Sequence, residues 1–248
     1  MGATGRVVVT GASTGIGAAT VRRLRADGID VVATARREER LAALADETGA
    51  DYVVADLTQE ADVARLVECV GAGGGVRALV NIAGGALGAD SVETSRIDQW
   101  QRMYDINVIA TLRATQAFLP LLRADGGGDI VVLTSTAAFD TYPGGAGSVA
   151  AKHAERIIAN TLRLELNGEP IRVIEIAPGM VKTEEFALNR LGDTERAAAV
   201  YAGVDSPLVA EDVADAVVWT LSRPRHVNID SLVIRPVAQA SNMLVARR

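Results

Sequence analysis

The sequence predicts a single α/β domain built on a doubly wound parallel sheet of about seven strands. Three observations carry that prediction. Short apolar runs rich in valine and isoleucine alternate with helix-length segments. Runs such as Val7-Val8-Val9 are apolar without alternation, the pattern of strands buried on both faces. No second core, repeat or linker interrupts the 248 residues, a length sufficient for one large domain with a sizeable core.

The elements follow in order. Strands are expected at residues 6–10, 30–35, 51–55, 77–82, 129–135, 171–177 and 231–234. Helices are expected between them, at 15–26, 38–47, 60–71, 98–122 and 149–166. Repeated βα units imply right-handed crossovers, which wind such a sheet outward from its middle. Gly73-Gly74-Gly75 and Gly126-Gly127-Gly128 each precede a strand and read as short connections. A further helical stretch over 184–201 falls between the sixth and seventh strands, and a substrate lid is expected at about 180–205. The tail after Pro236 carries no clear pattern.

Composition narrows the function classes. Lys and Arg total 25 against 31 Asp and Glu, a net charge of −6, where a nucleic-acid or anionic-membrane partner would call for a basic face. One cysteine, Cys69, excludes an internal disulfide and any cysteine-cluster metal site. His153 and His226 lack metal-ligand spacing, so no metal is expected. Neither a signal peptide nor a membrane-length apolar run is visible, so a cytoplasmic protein is expected. Glycine is in excess, at 24 residues.

Part of that excess lies in the first turn. The first strand runs into Thr10-Gly11-Ala12-Ser13-Thr14-Gly15-Ile16-Gly17, and a helix follows. Glycines allow positive φ and close backbone approach. The helix N-terminus offers free N–H groups to a pyrophosphate. Alone, three glycines make only a tight turn; between strand and helix at the start of a βαβ unit they point to a dinucleotide. At the end of the second strand, where NAD sites place a carboxylate, stand Arg36 and Arg37. Guanidinium groups suit a 2′-phosphate, which favours NADP over NAD; a solvated pair opening the next helix is the other reading. Asp56, at the end of the third strand, suits an adenine amino group, the N-cap of the next helix, or both.

At this point the sequence resembles the short-chain dehydrogenase/reductase family over nearly its whole length. The motifs occur in order: T-G-x-x-x-G-x-G at Thr10 to Gly17, N-N-A-G as Asn81-Ile82-Ala83-Gly84, the fourth-helix asparagine as Asn107, the serine after the fifth strand as Ser135, the lysine of Y-x-x-x-K as Lys152, and Pro178-Gly179 after the sixth strand. The C-terminal quarter resembles a narrower branch, the NADP-dependent 3-hydroxy acid (serine-type) and clavulanate dehydrogenases, through Lys182-Thr183-Glu184-Glu185-Phe186, residues 213–219 and 226–230, Pro236 and Gln239.

The resemblance implies a Rossmann-type fold and a role for each matched residue. Gly11, Ser13, Thr14, Gly15, Ile16 and Gly17 would wrap the pyrophosphate. Arg36, with Arg37, would meet the 2′-phosphate, and Asp56 with Leu57 the adenine. Asn81, Ala83 and Gly84 would pass beside the ribose. Lys152 would bind the nicotinamide ribose hydroxyls, and Pro178, Gly179, Val181 and Thr183 the carboxamide. Ser135 would hydrogen-bond the substrate oxygen. Asn107 would anchor a water connecting Lys152 to solvent. One departure, Ile82 for the second asparagine of N-N-A-G, bears on local structure rather than on chemistry.

The other departure bears on chemistry. The family's proton donor is a tyrosine thirteen positions after the serine and four before the lysine, and both spacings arrive at Ser148. A phenol of pKa about 10 can be brought toward neutrality by an ammonium. A serine hydroxyl is a far weaker acid, and its oxygen falls short of the phenol position by roughly 4 Å, beyond direct proton transfer. Three explanations stand: an engineered replacement, a natural enzyme that uses a water held by Lys152, Ser148 and Asn107, or a cofactor-binding or sensing protein without turnover. Lys152 is one of two lysines, with Lys182, beside 23 arginines, which speaks for a need that arginine does not meet.

The remaining candidates are peripheral. Phe139, Tyr142, Met180, Phe186 and Leu188 fall in segments expected to face a modest organic substrate. Tyr142 lies six residues before position 148, so a pocket-lining role is expected for it. Arg190 and Lys182 either bind a substrate carboxylate or are solvated. His153 is expected to be structural, Cys69 to be inert core, and His226 to pack or to meet another subunit. Apolar residues on several faces of the helices at 98–122 and 149–166 suggest a homodimer or homotetramer. The sequence thus predicts hydride transfer between NADP(H) and a secondary alcohol or ketone, a 3-hydroxy acid being the first substrate class, with no nucleic-acid or membrane partner.

Overall fold

Successive side chains of a strand point to opposite faces of its sheet, and here both faces are apolar. The computed structural model describes residues 5–248. Its strands are β1 (Arg6–Thr10), β2 (Val31–Ala35), β3 (Asp51–Val54), β4 (Val76–Asn81), β5 (Gly128–Leu133), β6 (Ile171–Pro178), β7 (Val181–Lys182), β8 (Leu208–Val209) and β9 (Ser231–Ile234). Its α-helices are α1 (Gly15–Ala26), α2 (Glu38–Thr48), α3 (Glu60–Ala72), α4 (Ile97–Tyr104), α5 (Ala110–Ala124), α6 (Ala146–Glu165), α7 (Phe186–Leu191), α8 (Thr194–Tyr201) and α9 (Ala210–Leu221). Val7 and Val9 of β1 enter one core and Val8 the other, and β2 repeats the division with Val31 and Ala33 against Val32. Residues from α1, α2 and α9 close the first core; Leu66 of α3, Phe118 and Leu122 of α5 and Ala159 of α6 close the second.

Seven strands form one parallel sheet, as the sequence predicts, and their order is β3-β2-β1-β4-β5-β6-β9. The chain winds outward from β1 to β3, then crosses back to β4 and winds the other way. That reversal opens a crevice beyond the carboxyl ends of β1 and β4, the place where such sheets bind ligands. Among the described residues no helix is long and apolar enough to cross a membrane.

Three differences from the predicted elements have physical causes. The single helix expected over 98–122 is two, α4 and α5, joined by a π-helical turn at Asp105–Ile109. The wider turn buries Asn107, and its side chain is fastened to the backbone of Met103 and Gly85. The stretch expected at 184–201 is also two helices, broken where Gly192 takes φ +67° and Asp193 caps α8 by accepting from Arg196 N–H at 2.7 Å. Helix α9 has no expected counterpart. It starts where Asp212 Oδ2 accepts from Val209 N–H at 2.8 Å, and Val213, Ala214, Val217, Val218 and Leu221 are buried.

Candidate active site

The site grows from the turn after β1. Gly11 holds φ +65°, and a Cβ there would lie 2.8 Å from the Ala83 nitrogen. A Cβ on Gly17 would lie 2.3 Å from the Gly11 carbonyl oxygen, so the helix start and the turn approach as closely as backbone allows. Gly15, at φ +52°, faces only the Thr183 side chain, 3.5 Å away. The Thr10 hydroxyl accepts from the N–H groups of Ile82 (2.9 Å) and Ala83 (3.0 Å), stitching this turn to the one after β4. Ile82 therefore leaves the local structure intact. The Thr14 hydroxyl is buried with no partner, and no side chain caps α1. A glycine cradle, an orphaned hydroxyl and an open helix N-terminus fit a pyrophosphate. Gly17→Ala is expected to cost about 1–3 kcal/mol by overpacking, read as a lower denaturant midpoint and a weaker fluorescence titration with NADPH.

Beyond β2 the two arginines part company. Arg36 is exposed. Arg37 donates to Ser13 Oγ at 3.1 Å and to Glu185 Oε1 at 2.9 Å, so it already joins the phosphate turn to the chain before α7. Arg40 adds a contact to Glu184 at 3.3 Å. The Arg37 bond holds the Glu185 carboxyl below the usual carboxylate range, against the effect of burial. Asp56 is not an N-cap: it accepts from the Thr58 N–H (2.9 Å) and hydroxyl (2.7 Å), and α3 starts only after Gln59. Burial pushes the Asp56 carboxyl up, but Thr58, with the charges of Arg36 and Arg102, outweighs it and holds the group low. Leu57 is buried and its carbonyl accepts from Arg113 at 2.9 Å.

Asn81, Ala83 and Gly84 follow at the end of β4. Asn81 is buried, with a long bond to Thr115 Oγ1 (3.4 Å) and an Oδ1 that has no partner. A Cβ on Gly84 would lie 2.5 Å from Asn107 Oδ1 and 3.6 Å from Lys152 Nζ, so the three groups converge. Asn107 accepts from Gly85 N–H at 3.0 Å and donates to Gly85 O (2.9 Å) and Met103 O (2.7 Å). Its amide is thus occupied by backbone. Lys152 Nζ donates to Leu133 O at 3.0 Å and to Glu155 Oε2 at 2.5 Å. Ser148 stands one helical turn before Lys152 on α6, on the same side of the helix. It lines a cleft with Leu87, Trp100, Met103 and Gly144. Ser135 caps a short 3₁₀ turn by accepting from Ala137 N–H at 3.1 Å, and its hydroxyl lies 3.4 Å from Pro178 O.

The opposite wall comes from the chain after β6. Gly179 is required by Gln239, whose Oε1 would lie 2.2 Å from a Cβ there and accepts from Met180 N–H at 2.7 Å. Val181 pairs with Leu208 in the small β7–β8 sheet, and its carbonyl accepts from Tyr201 at 2.9 Å. Phe186 opens α7 and is 44% exposed. Leu188 and Phe139 are also exposed. The Tyr142 ring covers Gly145, with the Arg190 guanidinium 5.6 Å from its centroid. Arg190 is not solvated: it donates to Gly88 O (3.1 Å) and Gly144 O (3.2 Å), tying α7 to two loops. Lys182 is exposed.

Exposure bears on three expectations outside the site. Cys69 is exposed rather than core, because α3 buries Val63, Leu66 and Val70 and turns position 69 outward. His153 is exposed and bonds back to Val149 O at 2.9 Å, a contact within its own helix. His226 is exposed. Among the described residues no cluster of His, Cys, Asp and Glu is placed to hold a metal. The sequence reading missed Glu155, whose only signal is its place three residues after Lys152, and Thr10 as the stitch between the two turns.

Comparison with known proteins agrees with this fold. The family described as short chain dehydrogenase matches residues 5–192. An uncharacterized oxidoreductase of Mycobacterium tuberculosis is 51% identical over 235 residues, covering 94% of this chain and 92% of that protein. Serine 3-dehydrogenase of Agrobacterium fabrum is 38% identical over 240 residues, 95% of each chain. Among solved structures, the closed form of serine dehydrogenase complexed with NADP+ superposes with a TM-score of 0.92 at 36% identity, covering 98% of this chain and 99% of that one.

Proposed function

The chain belongs to the short-chain dehydrogenase family of oxidoreductases, and on that premise we propose that it interconverts a secondary alcohol and a ketone with NADP(H), a 3-hydroxy acid being the first substrate class. The observation that carries the proposal is the convergence of Gly84, Asn107 and Lys152 beside the glycine cradle at the strand-order reversal. Bound there, NADP would supply or accept the hydride. Gly11, Ser13, Thr14, Gly15, Ile16 and Gly17 would hold its pyrophosphate, and Asp56 and Leu57 its adenine. Asn81, Ala83, Gly84 and Lys152 would line the nicotinamide ribose, and Pro178, Gly179, Val181 and Thr183 the carboxamide. Ser135 would hydrogen-bond the substrate oxygen, with Tyr142 and Phe186 as walls and the segment over 180–205 as a lid. With Asn107's amide occupied, a water would have to use its remaining Oδ1 lone pair or its main-chain carbonyl.

The preference for NADP rests on Arg36. Arg37 is divided between Ser13 and Glu185, so Arg36 is the guanidinium left open for a 2′-phosphate. A hydrogen bond to a charged group contributes about 1.5–3 kcal/mol. Arg36→Ala is therefore expected to weaken NADPH binding by roughly 10–100-fold while NADH binding stays within a factor of about two. Fluorescence titration of the native and Arg36→Ala chains checks this, and equal native affinities for the two cofactors would remove the assignment.

Ser148 favours a second reading, a dinucleotide-binding or sensing protein without turnover. A substrate panel of 3-hydroxy acids, secondary alcohols and their ketones, run with NADP(H), separates the two. We also propose a homodimer or homotetramer, supported by Ile97 and Tyr104 on α4 and by Ile157 and Leu164 on α6, all exposed in the single chain.

A further inference from the structure

Two carboxylates are buried beneath α6, and each has its own cation. Glu175, on β6, accepts from Thr134 Oγ1 at 2.8 Å and lies 3.5 Å from Arg156 Nε. The Arg156 guanidinium lies 3.9 Å over the Phe139 ring. Glu155 faces inward from α6 with 1% of its side chain exposed. Its Oε1 accepts from the Thr111 hydroxyl at 3.0 Å, and its Oε2 lies 2.5 Å from Lys152 Nζ. Lys152, on α6, is thus its counter-charge. The other charged groups near it are Glu175 from β6, whose charge acts against ionisation, and Arg156, which is engaged by Glu175 and Phe139. Thr111 from α5 and the Leu133 carbonyl from β5 are neutral.

Lys152 has three N–H donors. Two are taken, by Glu155 and by Leu133 O, which leaves one for a ligand. A ribose presents two vicinal hydroxyls, so gripping both requires the ammonium to give up a present partner. Leu133 O is backbone fixed in β5, so the partner that a side-chain movement can release is the Glu155 carboxylate. A carboxylate left unpaired in a dry interior is costly enough that it binds a proton instead.

We propose that Glu155 is a positioning residue for Lys152: it holds the ammonium in the free protein and takes up a proton when a dinucleotide's ribose hydroxyls draw that ammonium away. The inference rests on the cofactor role assigned to Lys152 above. Burial already lifts the Glu155 carboxyl above the usual carboxylate range, against the pull of Lys152 and Thr111, so the paired state is poised for this exchange. The proton comes from solvent and no covalent bond is made or broken. Because the bound form carries one more proton, affinity falls as pH rises, by up to tenfold per pH unit.

The test is calorimetric titration of the full chain with NADPH at one pH in two buffers of different ionisation enthalpy, which counts protons directly. The native chain is expected to take up a fraction of a proton, approaching one, that Glu155→Gln does not. The excess should persist with NADH, which lacks the titrating 2′-phosphate, and should vanish in Lys152→Met, whose Glu155 has no cation to lose. A carboxylic-acid carbonyl band in NADPH-minus-free infrared difference spectra, absent from Glu155→Gln, is the second expected result and does not depend on turnover. Equal proton uptake by native and Glu155→Gln chains would overturn the inference while the functional reading stood. Absence of any NADPH or NADH binding would overturn that reading, and this inference with it.

Discussion

Replacing Ser148 by tyrosine is expected to raise NADPH-dependent ketone reduction by about 10²–10⁴-fold, the range a positioned proton donor contributes. The argument starts from helix geometry. Positions 148 and 152 lie one turn apart on α6 and share a face, so a phenol at 148 would project over the same crevice as the Lys152 ammonium. Residues long at χ1 on a helix lean toward its N-terminus, which carries the ring toward the cleft formed by Leu87, Trp100 and Met103. Hydride addition to a carbonyl leaves charge on oxygen, and that charge is what a nearby acid neutralises. In the native chain the only hydroxyl at this position belongs to serine, too weak an acid and too short. The measurement is kcat/KM over 3-keto acids and simple ketones for native and Ser148→Tyr chains, with thermal unfolding of both to confirm that the ring is accommodated. Rapid reduction by the native chain, changed less than about threefold by the substitution, would mean that another group already donates the proton. No turnover in either form, with NADPH binding intact, would favour the sensing reading.

The sequence reveals different parts of this protein to different degrees, and the reason is range. Strands β1, β2, β4, β5 and β6 are legible almost to the residue because burial on both faces leaves an apolar run that few loops imitate. The glycine turn is legible because its spacing is compact in sequence, although only the Gly17 constraint is local: a Cβ there meets the Gly11 carbonyl, whereas a Cβ on Gly11 meets Ala83 in the turn after β4. The π-helical turn at Asp105–Ile109 is not, since no glycine or proline marks it and its cause is the tertiary demand to bury Asn107. Helix α9 does carry a helical pattern, with Val213, Ala214, Val217, Val218 and Leu221 buried and Glu211, Asp212 and Asp215 exposed; the exposed Trp219 is the residue that blurs it. Cys69 was one position out of phase: Val63, Leu66 and Val70 define the buried stripe. Glu155 is the instructive case. A carboxylate three residues after a lysine reads as a solvated ion pair, and only the packing of Thr111 from α5 and Glu175 from β6 reveals it as buried. The Gln239 contact to Met180 and the Arg190 contacts to Gly88 and Gly144 span 59, 102 and 46 residues, and no local pattern announces them.

Range also decides where stability is concentrated, and Arg172 is the clearest instance. It stands on β6 in register with Asp129 on β5, and both are buried. Its Nε and Nη2 donate to the two Asp129 oxygens at 2.6 and 2.7 Å. Nη2 donates also to Leu221 O (3.1 Å), and Nη1 to Arg223 O (3.1 Å) and Val227 O (3.2 Å). All five guanidinium donors are therefore used. The three carbonyls come from the C-terminal end of α9 and the chain after it, where a positive charge also meets the favourable end of the helix dipole. One side chain thus fastens β5, β6 and α9. Arg172→Met is expected to destabilise the protein by about 3–5 kcal/mol, because it strands a buried carboxylate together with three carbonyls. That corresponds to a Tm lower by roughly 6–20 °C for a chain of this size. Arg172→Lys should recover little, since an ammonium has three donors and no fork to match a carboxylate. Removing the stranded charge as well, in Arg172→Met/Asp129→Leu, should return much of the loss, as replacing a buried ion pair by apolar groups often does. Urea unfolding at matched protein concentration measures all four chains. If Arg172→Met unfolds within about 1 kcal/mol of the native chain, water reaches Asp129 and the pair is not the clasp its geometry describes.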